Sequence, residues 1–351
     1  MRASAIFLSV LLFAAPSAAA EPAVDAETAV RRGLERMRKA GTSWQANETC
    51  FACHHHTLPL LACRESRRAG FPLDKAWAKS LADHAHAYFA GRADDMDEGV
   101  HVPGGAASVG YGLWALSLDD RPADDVTKAM VTYLLKVQGS ARLKDREPSD
   151  LTKLNDGRWL ASCRRAPMQA SMVGDTVLVL IGLQRYAAPE QQSQLAKARA
   201  AAERWLKSVP LETQQDRLWR LWGLHELGGD GETLRKVRAE ILAAQRDDGG
   251  WAETLARASD PYSTGQTLFM LCRTGQAERD PALKRAAAYL LRTQHADGSW
   301  LFESHVKPVQ PYFDNGDPHG KNQFISTAAT AWATAGLAQM LPVKASAPNS
   351  E

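Results

Sequence analysis

The chain has no excess of one charge: 42 Lys and Arg face 40 Asp and Glu over 351 residues, a formal +2. No block of like charge stands out, so neither nucleic acid nor an anionic membrane surface is indicated as a partner. Cysteine is scarce and odd in number. Cys50, Cys53, Cys63, Cys163 and Cys272 are spread unevenly, a poor basis for a disulfide framework. After residue 20 no segment approaches the roughly 20 uninterrupted apolar residues that span a bilayer. Strand signals are nearly missing too, because short β-branched runs such as Val177 to Ile181 sit inside helical periodicity without hairpin turns beside them. What is present, 45% hydrophobic and 23% charged side chains, excludes disorder and a collagen-like repeat and supplies a sizeable core.

Residues 1–20 read as a secretory signal. Arg2 is followed by an apolar run from Ala5 to Ala15, then Pro16, Ser17 and the small residues Ala18 to Ala20, with cleavage expected before Glu21. The expected product is periplasmic or secreted, with one domain over residues 21–341 and a disordered tail over 342–351.

Internal repeats organise that domain. Gln245-Arg246-Asp247-Asp248-Gly249-Gly250-Trp251 and Gln294-His295-Ala296-Asp297-Gly298-Ser299-Trp300 share the pattern Q-x-x-D-G-x-W. A third copy is split, with Gln138 ahead of a charged insertion and Asp156-Gly157-Arg158-Trp159 after it. Each copy lies between an amphipathic segment and a second segment rich in small residues, which is a helix, turn, helix unit. Second segments begin near Thr57, Ala107, Met172, Asp216, Tyr262 and Ile325, and Trp114, Leu180, Trp222, Phe269 and Trp332 recur along them. First segments begin near Glu27, Lys75, Val126, Leu195, Thr233 and Pro281 and carry more charge, as an outer layer would. The expectation is an all-α fold, an α/α toroid of about six helical hairpins, with an open stack of hairpins as the alternative.

The Q-x-x-D-G-x-W copies resemble the QW repeat of squalene-hopene cyclases and related prenyltransferase-type α/α toroids. The likeness is strongest from about Ser259 to Leu341, including Gln310-Pro311-Tyr312-Phe313 and Thr327 to Trp332. The resemblance implies that Gln caps a helix while Trp stacks on the turn and ties neighbouring hairpins together. It is specific for fold and weak for chemistry. Hopene-type cyclases protonate an alkene with an Asp-rich D-x-D-D motif, which this chain lacks. The nearest match is Val173-Gly174-Asp175-Thr176, where lone Asp175 suits a helix cap first and a proton donor second. The acidic run Asp94-Asp95-Met96-Asp97-Glu98 reads as a solvated loop or a cation site. Cys163 and Cys272 read as packed thiols, and no nucleophile elbow or phosphate loop is present.

The sharpest motif is Cys50-Phe51-Ala52-Cys53-His54, the C-x-x-C-H spacing of c-type haem attachment. Two thiols would join one edge of a porphyrin, and His54 would lie beneath the iron. His55 and His56 extend the run, and Leu58-Pro59 follows, similar to a segment of other exported toroid proteins. Met37, Met96, His101 and His319 are candidates for the second axial position. The alternatives are a structural zinc on Cys50, Cys53, Cys63 and one of His54, His55 and His56, or a small disulfide.

In such a barrel every loop from an outer to an inner helix lies at one end, where inner helix N-termini converge and favour anions. His54, His101, Arg164, Arg165, Asp175, Asp260, Tyr262, Asp314, Asp317, His319 and Gln323 fall in or near these loops and mark a candidate mouth. The leading expectation is a haem protein with a redox or electron-transfer role and an unknown redox partner. The first alternative is a cyclase-like enzyme acting on an isoprenoid or other small apolar ligand, with Asp175 as its acid. The second is a non-enzymatic ligand-binding or scaffold protein holding zinc.

Overall fold

The computed structural model describes residues 25–100, 102–139, 156–162, 165–275, 279–307 and 311–344. The expected signal, His101, most of the charged insertion, Cys163, Arg164, Gln310 and residues 345–351 lie outside the described residues.

Thirteen α-helices are described: α1 (Ala26–Asn47), α2 (Thr57–Arg68), α3 (Lys75–Ala90), α4 (Ala93–Glu98), α5 (Gly105–Leu118), α6 (Asp125–Lys136), α7 (Met172–Tyr186), α8 (Gln192–Ser208), α9 (Gln214–Glu226), α10 (Gly231–Ala243), α11 (Pro261–Arg273), α12 (Pro281–Thr293) and α13 (Gln323–Gln339). No strand occurs among the described residues beyond one isolated bridge between Gly105 and Ala161. Side-chain oxygens start most of the outer helices: Asp25, Asp74, Asp124, Asp230 and Asp280 each accept an N–H of the first turn. Asp94 to Glu98, expected in a loop, instead wind into α4, which packs against α6 and buries Met96.

The inner helices close a ring. α2 packs on α5, α5 on α7, α7 on α9, α9 on α11 and α11 on α13, and α13 returns to α2. α11 and α13 cross so closely that a Cβ on Gly265 would stand 2.5 Å from the backbone nitrogen of Ala333. Only glycine permits that approach. Inner helices α11 and α13 are buried on nearly every side. The ring they help to form encloses an aromatic layer of Tyr111, Trp114, Trp219, Trp222, Tyr262, Phe269 and Trp332, with centroids 5.1 to 6.4 Å apart. Leu180, grouped with these residues by position, faces the outer layer beside Val131 and Ala202, and Ile181 takes the inward place.

All three repeat copies, the split one included, make the same bonds. The Gln side chain donates to a carbonyl near the start of the next outer helix or within it: Gln138 to Ala198 (2.8 Å), Gln245 to Ala282 (2.8 Å) and Gln294 to Ala29 (2.9 Å). The Trp does more than stack. Its indole N–H donates to a carbonyl of the preceding outer helix, Leu134, Ile241 or Leu290. Its backbone N–H donates to a threonine of the following inner helix, Thr176, Thr264 or Thr330. The repeat glycines Gly157, Gly249 and Gly298 have φ of 96°, 86° and 88°. A Cβ on them would collide with backbone three residues beyond the Gln contact, at Ala201, Arg285 and Arg32.

These contacts separate two costs. Gly275 also has positive φ (92°) but nothing within 4 Å of a Cβ. Gly275→Ala should therefore lose only about 1 kcal/mol through backbone strain. Gly298→Ala should lose roughly 2 to 4 kcal/mol, because Arg32 must also move. Denaturant unfolding of the two variants measures the difference, and equal losses would contradict the close-approach account.

Candidate functional site

Residues 50–56 form a tight turn around the Ala52 carbonyl, which accepts the N–H groups of His55 (3.1 Å) and His56 (2.8 Å). The turn leads into α2 and drives all three histidines inward. His54 is 8% exposed, and His55 and His56 are fully buried. Burial pushes His54 and His56 down to about 3, with Arg165 adding to the shift at His54 and His84 at His56. His55 is pushed well below the usual histidine range, again by burial first. His56 stacks on His84 at 4.4 Å, and His54 and His55 pack among Trp44 and Phe324.

This packing does not suit a porphyrin. Attachment needs both thiols along one edge and His54 beneath the ring centre. Cys50 instead borders an outer groove with His84, Tyr88 and Arg92, while Cys53 and His54 border the barrel mouth. His54 is itself held between Trp44 (5.1 Å) and Phe324 (5.7 Å). The axial candidates are elsewhere: Met37 and Met96 are buried in separate parts of the core, and His319 bonds to Ser299 (2.9 Å). Zinc fits no better, since among the described residues no three His, Cys, Asp or Glu side chains converge on a metal position. Cys63 lies in the core of α2, its thiol pushed up to about 12 by burial.

The expected mouth is only partly assembled. Cys53, His54 and Arg165 share a cleft of about 50 Å³ with Met168, Gln169, Lys307, Lys321 and Phe324. Tyr262 lies fully buried in the aromatic layer, with its hydroxyl pushed up by burial. Asp175 is 5% exposed on the first turn of α7, where Oδ2 accepts the Ala161 N–H at 3.0 Å. Asp260 caps α11 through Ser263 and is pushed to about 6 by burial. It borders a separate outer groove with Tyr289, His295 and Phe302. Asp317 accepts the His319 N–H (3.1 Å) and is raised to about 7 by burial.

Lys307 and Lys321 carried no motif, and only their place in the folded loops brings them to Arg165. A second opening was also hidden from sequence. At the C-terminal end of the inner helices a bowl of about 370 Å³ has Leu61, Trp114, Ile181, Trp222 and Phe269 as its apolar wall. The recurrence of Trp114, Trp222 and Phe269 along the inner segments was its one signal.

The raised Asp317 gives a signed pH effect. The folded state keeps a proton that the unfolded chain releases near 4, so this group's contribution to stability declines as pH rises from about 4 to about 7. Asp317→Asn should therefore gain stability relative to the parent between pH 5 and pH 8 in paired unfolding curves. A constant difference across that window would contradict the assignment.

No family model matches the chain. Local similarity does exist: the chain is 42% identical over 65 residues to drimenyl diphosphate synthase of Streptomyces showdoensis, covering 18% of this chain and 12% of that protein. It is 32% identical over 121 residues to protostadienol synthase A of Arthroderma gypseum, covering 30% and 16%. The matched stretches are thus a small part of those proteins' length. In fold, the chain is similar to the type II terpene cyclase MstE from Scytonema, with a TM-score of 0.53 at 13% identity, covering 89% of this chain and 97% of that one. It is equally similar to a glycosidase solved in complex with glucose, with a TM-score of 0.54 at 13% identity over 89% and 98%. The expected redox or electron-transfer role is overturned, because the sequence similarity runs to terpene synthases and the C-x-x-C-H thiols border separate openings. The chain has a QW-repeat α/α-toroid fold, similar to that of type II terpene cyclases, and shares local sequence similarity with terpene synthases.

Proposed function

We propose that the chain is a cyclase-like enzyme acting on an isoprenoid or similar polyene, with Asp175 as the proton donor. The observation that carries this reading is the aromatic interior of the closed ring, with Trp114, Trp222, Phe269 and Trp332 packed around its axis. Ring faces attract cations electrostatically, more so when water is excluded, and they suit a reaction that moves positive charge along a hydrocarbon. The bowl adds about 370 Å³ of space, within the range of small-molecule sites, with an apolar wall and charged residues such as Arg64, Glu65, Arg185 and Glu226 also lining it.

The reaction balances without a cofactor. The Asp175 carboxyl proton adds to a terminal alkene, whose π pair forms the new C–H bond and leaves a tertiary cation. A neighbouring alkene then attacks that cation, closing a ring and shifting the charge one unit along the chain. Loss of a proton to water or to the Asp175 carboxylate ends the sequence. Asp175 and Ile181 lie on α7 and are separated by about 9 Å along its axis at 1.5 Å per residue. An extended polyene is long enough to reach both.

The test is product analysis after incubating the protein with linear polyprenes, with and without a terminal diphosphate. Cyclic products are expected from the parent. Asp175→Asn, which retains shape and hydrogen-bonding capacity, should lower their rate by about 10² or more. Undiminished turnover in that variant, or no cyclic product from the parent, would overturn the reading.

A further inference from the structure

We infer that the bowl at the C-terminal end of the inner helices receives the neutral, hydroxyl-rich head group of an amphiphile, whose apolar body runs inward against the aromatic layer. Cyclisation itself calls for no such head group, and the cyclase reading enters only in placing the apolar body.

The first observation is charge balance. Arg64, Arg185 and Arg273 border the bowl together with Glu65, Asp120 and Glu226, three cations against three carboxylates. Arg64 pairs with Asp120 at 3.0 Å, while buried Glu65 pairs with Arg68 at 3.3 Å and accepts the Gln339 amide. Arg185, Arg273 and Glu226 remain, and none of the three belongs to an ion pair among the described residues. Arg185 and Arg273 each stand in the last turn of an inner helix, where they offset the negative end of its dipole. The bowl thus has no net attraction for an ion of either sign.

The second observation concerns hydrogen bonds and is independent of charge. The uncommitted rim groups include two donors, Arg185 and Arg273, an acceptor, Glu226, and the Gln184 amide, which does both. A hydroxyl is the neutral group that answers either kind. Deeper in the bowl, Trp222 is 5% exposed and its indole N–H has no hydrogen-bond partner among the described residues. The repeat tryptophans Trp159, Trp251 and Trp300 all place that N–H on a carbonyl. A buried donor is costly to leave unpaired, and the oxygen joining a head group to its apolar body would pair it. The wall beside it, Leu61, Trp114, Ile181 and Phe269, offers nothing but hydrocarbon and ring faces and suits that body.

Calorimetric titration of the full chain with three amphiphiles of one tail tests the head group without turnover. The probes are octyl glucoside, octyl phosphate and octyltrimethylammonium, each below its micelle concentration. Octyl glucoside is expected to bind tightest, by about tenfold over either charged analogue. Trp222→Phe, which keeps an aromatic ring and removes the N–H, should weaken octyl glucoside by about fivefold. The double variant Arg185→Ala with Glu226→Ala keeps the charge balance and should weaken it by about tenfold or more. Arg185 is exposed and Glu226 partly so, and that variant retains the fold, as its melting curve should show. Undetectable binding of octyl glucoside, equal or tighter binding of a charged amphiphile, or affinity unchanged in both variants would each overturn the proposal. A chain that prefers the glucoside yet cyclises no polyprene overturns the cyclase reading alone, and one that cyclises polyprenes yet prefers a charged head overturns the bowl assignment alone.

Discussion

The chain closes into a ring where its two ends meet: α13 packs on α1 and α2, and Gln294, at the end of the last outer helix, donates to Ala29 in the first. Its equivalents, Gln138 to Ala198 and Gln245 to Ala282, join helices that follow one another in sequence, but Gln294 spans 265 residues to do the same work. Gly298 presses on Arg32 beside it, and Trp300 caps α12 below. With the circle closed, the inner helices have no exposed end, and their aromatic side chains meet on the axis rather than at a solvent face. The aromatic interior depends on this closure, and so does the gathering of loops from opposite ends of the sequence at one mouth.

Much of the architecture was legible because the repeat is a physical device. Gln, Gly and Trp each have a distinct bond or contact to make, so their spacing survives even where an insertion splits Gln138 from Trp159. The six inner segments start within two residues of their expected positions. Side-chain direction was less legible: helices buried on all sides have no amphipathic stripe, and Leu180 was placed inward where Ile181 belongs. α4 was missed because six residues with four acidic side chains gave no helical period.

The site was legible in residue type and misleading in meaning. Cys50, Cys53 and His54 have the haem-attachment spacing, yet that spacing specifies neither which way the thiols turn nor what fills the space above the histidine. The Ala52 turn sends Cys50 and Cys53 to separate openings, and Trp44, edge-on, and Phe324, tilted, pack against His54. His54 and Arg165, read from the sequence as mouth residues, line one cleft. Lys307, Lys321 and Asn315, which bonds to His55 (2.7 Å), were not foreseen, because only long-range folding brings them there. Asp317 and His319 belong to the network behind the histidines and not to the cleft itself.

The account rests most heavily on a proton entering a hydrocarbon inside a closed aromatic ring. Incubating the chain with a linear polyprene in deuterated water tests that step directly by mass spectrometry of the products. The account predicts a cyclic product carrying one solvent-derived deuterium on carbon at the site of initial protonation. A cyclic product with no deuterium on carbon, or recovery of unchanged polyprene alone, would contradict it.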